Sequence, residues 1–158
     1  MNHPVRASYL ISGVDQSRVF DALLAVQSFP EWGLGLREAR ALDESGTLEE
    51  PAIRAGTRFE FTLSAAGFTH KVVSSVVTVE VPRKIEWRYV SGAVGGGGWL
   101  IEESGPSTVR MTLFTDYQVK PGWLNRLAHR PFFRGLTEDL LRRSMRRFEA
   151  HLRQSQEV

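Results

Sequence analysis

Apolar residues recur at every second position through the middle of this chain. Arg58-Phe-Glu-Phe-Thr-Leu63 alternates charged or hydroxyl side chains with apolar ones. The valine-rich run from His70 to Val81 repeats the pattern, as does Ile85-Glu-Trp-Arg-Tyr89 and, less cleanly, Val109-Arg-Met-Thr-Leu-Phe114. Such alternation predicts strands with one wet and one covered face. Ala66-Gly67, Pro82-Arg83 and Gly105-Pro106 read as the turns between them. Period two sets in near Leu36, so six strands follow one another as an antiparallel meander. An earlier run, Arg6 to Ile11, reads as a further strand.

Both flanks of the meander carry helical spacing. Asp15 is placed as an N-cap, because its carboxylate can accept first-turn backbone N–H groups. Val14 and Val19 are spaced as a hydrophobic staple. Val19, Phe20, Leu23 and Leu24 continue on one face. Pro30 suits the first turn of a second, short helix through Glu31 and Trp32. At the far end Pro121 and Pro131 bracket a short helical segment, Gly122 to Arg130. Beyond it Phe133, Leu136, Leu140, Leu141, Met145, Phe148 and Leu152 form one stripe at spacings of three and four. Glu138–Arg142 and Asp139–Arg143 are favourable pairs four apart on the other face. A helix from Phe133 to Gln154 would be about 33 Å long.

Gly92-Ala-Val-Gly-Gly-Gly-Gly-Trp99 interrupts this regularity, with five of the chain's 14 glycines in eight residues. A phosphate loop needs Lys and Ser/Thr after its last glycine, where this chain has Gly98-Trp99. A dinucleotide motif also fails, since Trp-Leu-Ile follows Gly95-x-Gly97 and the continuation is strand-like. Two readings remain for the glycines. They form a hairpin tip with positive φ, or they extend into a strand where missing side chains leave room for a bulge or a ligand.

The chain has 158 residues, 42% hydrophobic and 24% charged, and a net charge of +2. These values describe an ordinary globular chain, expected to form a single domain over residues 1–158. No cysteine is present, which removes disulfides, thiolate chemistry and cysteine-based zinc sites. No signal-peptide pattern or run of about 20 apolar residues occurs, so the expectation is a cytoplasmic protein without a membrane span. Arginines crowd the last third, from Arg126 to Arg153. They read as a solvated helix face or as a surface for an anionic partner. His3, His70, His129 and His151 lack metal-ligand spacing, and no serine-hydrolase elbow exists, so neither metal nor cofactor is expected. Trp87 and Tyr89 share one face of a strand, and Phe59 and Phe61 one face of another. Polar groups able to act as acid or base inside a pocket are His70, Tyr89, Arg110, Asp116 and Tyr117.

The order of elements resembles the START-like SRPBCC superfamily, with the helix-grip fold of the polyketide cyclase/dehydrase and pollen-allergen groups. The likeness rests on Val19-Phe-Asp-Ala-Leu23, Phe29-Pro-Glu-Trp32, Val81-Pro-Arg-Lys-Ile-Glu-Trp87, Trp99-Leu-Ile-Glu-Glu103 with Ser107-Thr-Val-Arg-Met-Thr112, and Leu140 to Leu152. It implies an α+β fold, a curved seven-stranded antiparallel sheet wrapped around a long C-terminal helix, with two short helices after the first strand. It also implies a cavity between sheet and helix for an apolar molecule of lipid, polyketide or aromatic type. The expected walls are Trp32, Phe59, Phe61, Trp87, Tyr89, Trp99, Phe133, Leu140 and Met145. Three functions follow: an apolar-ligand binding protein, a cofactor-free polyketide cyclase/dehydratase-type enzyme, or an interaction protein using the arginine-rich helix. No nucleic-acid partner is expected, and the residues leave the oligomeric state open.

Overall fold

The computed structural model describes residues 3–45, 52–65, 68–118 and 138–156. Strand β1 (His3–Ser12) leads through Gly13 into helix α1 (Gln16–Leu24). Asp15 caps α1: its carboxylate accepts the Arg18 backbone N–H at 2.8 Å. Val14 and Val19, the staple pair, are both buried, with Phe20 and Leu23 beside them. A 3-10 turn (Val26–Ser28) then aims the chain into α2 (Phe29–Trp32), whose first turn carries Pro30.

The meander follows as β2 (Leu36–Leu42), β3 (Arg58–Ala65), β4 (Phe68–Glu80), β5 (Lys84–Ser91), β6 (Val94–Glu103) and β7 (Thr108–Gln118). All neighbours pair antiparallel, in the order β1-β7-β6-β5-β4-β3-β2. The sheet curls into a half-barrel. Register shifts at Val73/Ser74 and Val76/Thr78 mark where β4 bends against β5.

Strand alternation decides what faces the concave side. Ile85, Trp87 and Tyr89 point inward from β5, while Glu86 and Arg88 point outward. Val109, Met111, Leu113 and Thr115 do the same on β7. The C-terminal helix, α3 (Glu138–Gln156), lies in the hollow. Leu141, Met145, Phe148 and Leu152 bury one stripe of it at spacings of four, three and four. They meet Ile11, Ile85, Ile101 and Met111 in a single core. Glu138 pairs with Arg142, and Asp139 with Arg143 at 3.5 Å, on the exposed face. The segment proposed for Gly122–Arg130, the start of the last helix at Phe133, and the Ala66-Gly67 turn lie outside the described residues.

The far end of α3 is fastened to the start of the chain. Tyr9 donates its hydroxyl to Glu149 Oε1 at 2.6 Å, and Arg153 donates to Glu149 Oε2 at 2.7 Å and to the Ser12 carbonyl at 2.9 Å. Partial burial pushes the Glu149 carboxyl up, but hydrogen bonds from Tyr9 and Arg153 outweigh it and hold the group below its usual range. Burial, then the facing Glu149 carboxylate, push the Tyr9 hydroxyl up.

Candidate functional site

Sheet and α3 do not close on each other completely. Between them lies a cavity of about 230 Å³. Its closed end is aromatic. Trp32 meets Trp99 edge-on at 6.3 Å between ring centres and Phe148 at 5.0 Å, and Phe29 stacks on Phe61 at 6.0 Å. Alternation on β3 and β4 adds Phe61, Leu63 and Val72, and α3 supplies Leu140, Leu141 and Met145. The other end lies at the β5–β6 hairpin, where Gly92, Ala93, His70 and Tyr89 form the wall.

Among the described residues the lining carries no Asp, Glu, Lys or Arg. Its polar side chains, apart from the indoles, are His70, Tyr89 and Ser144. His70 Nε2 lies 2.9 Å from the Gly92 carbonyl, which can only accept, so Nε2 carries the proton. The Ser144 hydroxyl is used structurally, accepting the Leu34 backbone N–H at 3.1 Å. The Tyr89 hydroxyl lies 2.7 Å from Thr115 Oγ1. That bond spans a whole strand, since β6 runs between β5 and β7. The indole N–H groups of Trp32 and Trp87 are buried without a hydrogen-bond partner among the described residues.

Tyr89 reaches Thr115 across the glycine run. Gly92, with φ +84°, belongs to the hairpin tip, and Gly95, with φ +117°, pairs on one side only, with Tyr117. Gly96, Gly97 and Gly98 are paired on both sides within β6. Gly97 is flanked by Trp87 and Thr115, and its inward face is bare. A Cβ there would lie 2.6 Å from the Phe114 carbonyl oxygen and 3.2 Å from Thr115 Cβ. On the outer face a Cβ at Gly96 would lie 2.6 Å from the Trp87 carbonyl oxygen. At Gly98 it would run into the Ile85 carbonyl and come within 2.7 Å of the Phe114 ring. The missing side chains therefore let three strands curl tightly together where the aromatic wall stands.

Of the expected walls, the structure brings Trp32, Phe61, Trp87, Tyr89, Trp99, Leu140 and Met145 to the cavity. Phe59 does not reach it; the ring is buried at the core side of Phe61, centres 6.1 Å apart. Phe133 lies outside the described residues. Of the expected acid–base groups, His70 and Tyr89 face the cavity. Arg110 and Asp116 do not, because inward-pointing Val109, Met111, Leu113 and Thr115 force the even positions of β7 outward. Only the backbone of Tyr117 is described, as the partner of His3. Thr115 was missed as a functional candidate, although it continues the alternation that begins at Val109. Ser144 and the Leu34 backbone were not legible, since they meet only once α2 and α3 pack. No metal-binding cluster occurs among the described residues.

A second, open concavity of about 810 Å³ lies over the glycines, and Trp87, Tyr89, Gly97 and Thr115 border it as well. Arg6, Glu86, Arg88 and Asp116 rim it with mixed charge.

The family model for polyketide cyclase / dehydrase and lipid transport proteins matches residues 3–153. The chain belongs to this family. None of the curated proteins matches it by sequence. Among solved structures, a protein from Thermus thermophilus superposes with a TM-score of 0.75 at 13% identity, covering 97% of this chain and 99% of that one. A START superfamily protein from Mycobacterium smegmatis gives 0.65 at 13% identity, covering 96% and 98%. The di-domain ARO/CYC of the steffimycin biosynthetic pathway gives 0.70 at 14% identity, covering 99% of this chain and 52% of that one. At these identities the likeness establishes the START-like helix-grip fold of the family and leaves the chemistry to the residues.

Proposed function

We propose that this polyketide cyclase/dehydrase and lipid transport family member binds a compact apolar molecule in the cavity between its sheet and α3. One observation carries the reading: an uncharged wall of tryptophans, Trp32, Trp87 and Trp99, borders space that the described side chains leave unfilled. An apolar lining with a few placed polar groups is what a small-molecule site requires. At about 230 Å³ the space lies below the range of typical drug-sized sites, which favours a one- or two-ring molecule over a long acyl chain.

The test is a titration with a polycyclic aromatic, followed by tryptophan fluorescence, on wild type and Trp87→Ala. Micromolar binding by wild type is expected, weakened roughly tenfold in the variant as a stacked aromatic contact is lost. A variant that melts earlier but binds equally well per folded molecule would make Trp87 ordinary core and remove it from the site.

A second reading, acid–base catalysis on a polyketide-like substrate, draws on His70 and Tyr89 at the hairpin end. It is the weaker of the two, because Arg110 and Asp116 face away from the cavity. It requires that His70→Ala abolish turnover of a poly-β-ketone while leaving its binding intact; unchanged turnover would discard it.

A further inference from the structure

The cavity has two unlike ends, and this bears on what it holds. Trp32 and Trp99 close one end with rings alone. Tyr89 stands at the other, its hydroxyl 2.7 Å from that of Thr115 across the bare surface of Gly97. Two hydroxyls carry two protons, and the bond between them uses one. If Tyr89 donates, Thr115 keeps its proton for the Gly96 carbonyl at 3.4 Å, and the Tyr89 oxygen retains accepting lone pairs. If Thr115 donates, the Tyr89 O–H is left with no acceptor among the described residues. In either arrangement the Tyr89 hydroxyl has capacity for one more partner, and it switches between donor and acceptor by rotating two protons. The described lining holds no Asp, Glu, Lys or Arg, and its one imidazole, His70, already gives Nε2–H to the Gly92 carbonyl; burying an unpaired carboxylate or ammonium is costly.

We infer that the ligand is a compact ring system bearing one neutral oxygen function, a hydroxyl or a ketone, which hydrogen-bonds Tyr89 while the rings lie toward Trp32 and Trp99. The inference rests on the cavity being the binding site, as proposed above. It assigns Tyr89 and Thr115 as the specificity-determining pair, and Gly97 as the gap that lets them meet. A Cβ at position 97 would press on the Thr115 Cβ at 3.2 Å and so disturb the hydroxyl that holds Tyr89.

Four probes of similar shape separate the possibilities: naphthalene, 2-naphthol, 2-tetralone and 2-naphthoate, each titrated against wild type and Tyr89→Phe. Wild type should bind 2-naphthol and 2-tetralone roughly tenfold more tightly than naphthalene, the yield of one retained neutral hydrogen bond. The charged 2-naphthoate should bind weakest. Tyr89→Phe keeps the ring, so naphthalene affinity should hold while the tenfold margin disappears. A margin for only one of the two oxygenated probes identifies hydroxyl or ketone as the preferred group, provided Tyr89→Phe removes it. If the margin survives in Tyr89→Phe, or wild type has none, the inference is overturned while naphthalene binding keeps the cavity proposal standing. If naphthalene does not bind either, both fall. Should Tyr89→Phe fail to fold in a thermal melt, Thr115→Val removes the other hydroxyl at the same shape and must reduce the same margin severalfold; an undiminished margin there counts against the inference.

Discussion

At the scale of single residues, glycine does the most unusual work. Gly98 sits in a fully paired strand, where a side chain is ordinarily neutral or helpful. Here its position is filled from both sides, by the Ile85 carbonyl and the Phe114 ring. Gly98→Ala should therefore destabilise by about 1–3 kcal/mol, the usual penalty for overpacking. Thermal or urea melts would check this, and a variant as stable as wild type would mean that the curl of β6 does not depend on the absent side chain. By contrast, Gly105, at the β6–β7 turn, has φ +121° but open space around its Cβ position. Its role there is backbone conformation alone. The sequence showed that the glycines were neither a phosphate loop nor a dinucleotide motif. It could not separate hairpin from strand, because the carbonyls that exclude a Cβ come from β5 and β7.

At the scale of elements, α3 combines two kinds of apolar position. Phe148 is completely buried and touches Trp32, so Phe148→Ala should cost about 3–5 kcal/mol. Leu140 faces the cavity, where one side already lacks packing partners. Leu140→Ala should cost about 2 kcal/mol or less, the low end for such a change. Paired melts read the difference directly, and equal losses would mean that Leu140 is packed as tightly as the core. Periodicity made the stripe legible, since Leu141, Met145, Phe148 and Leu152 follow from spacing alone. It could not separate core from cavity within the stripe, because a helix face looks the same whether it meets side chains or empty space. The same limit applied to Phe59 and Phe61. They share a strand face by alternation, but Phe61 stacks on Phe29 of α2 beside the cavity while Phe59 stays in the core. Arg110 and Asp116 were misplaced for a simpler reason: their candidacy came from chemistry, and the alternation of β7 overrides it.

At the scale of the whole molecule, acid should loosen the fold at identifiable places. Glu149 ties α3 to β1, and Glu60 joins β2, β3 and β4 through Arg40 at 2.8 Å and Lys71 at 2.6 Å. Partial burial raises the Glu60 carboxyl, but the two cations outweigh it and the net shift is downward, as at Glu149. A carboxyl depressed in the folded state contributes stability above its unfolded pKa and loses it as pH falls through the folded value. Glu149→Gln should thus lower the Tm at neutral pH, with the gap to wild type closing as the pH falls below the ordinary carboxylate value of 4.5. Parallel Tm curves across that range would remove Glu149 from the acid response. The raised Tyr9 hydroxyl works in the opposite sense, contributing below its ordinary value of 10 and failing as the solution becomes more alkaline. The strand order carries a different consequence, in time rather than in energy. Strands β2 to β7 each pair with a sequence neighbour, so the meander closes through local connections, the longest between Leu42 and Arg58. β1 pairs His3 with Tyr117 and Ser12 with Thr108, and so waits for a strand that the ribosome makes far later. Contacts so distant in sequence are the slow ones to form. Until they do, the nascent chain carries a curled sheet with an open β7 edge and an uncovered apolar hollow, an interval in which it depends on whatever shields such surfaces in the cell.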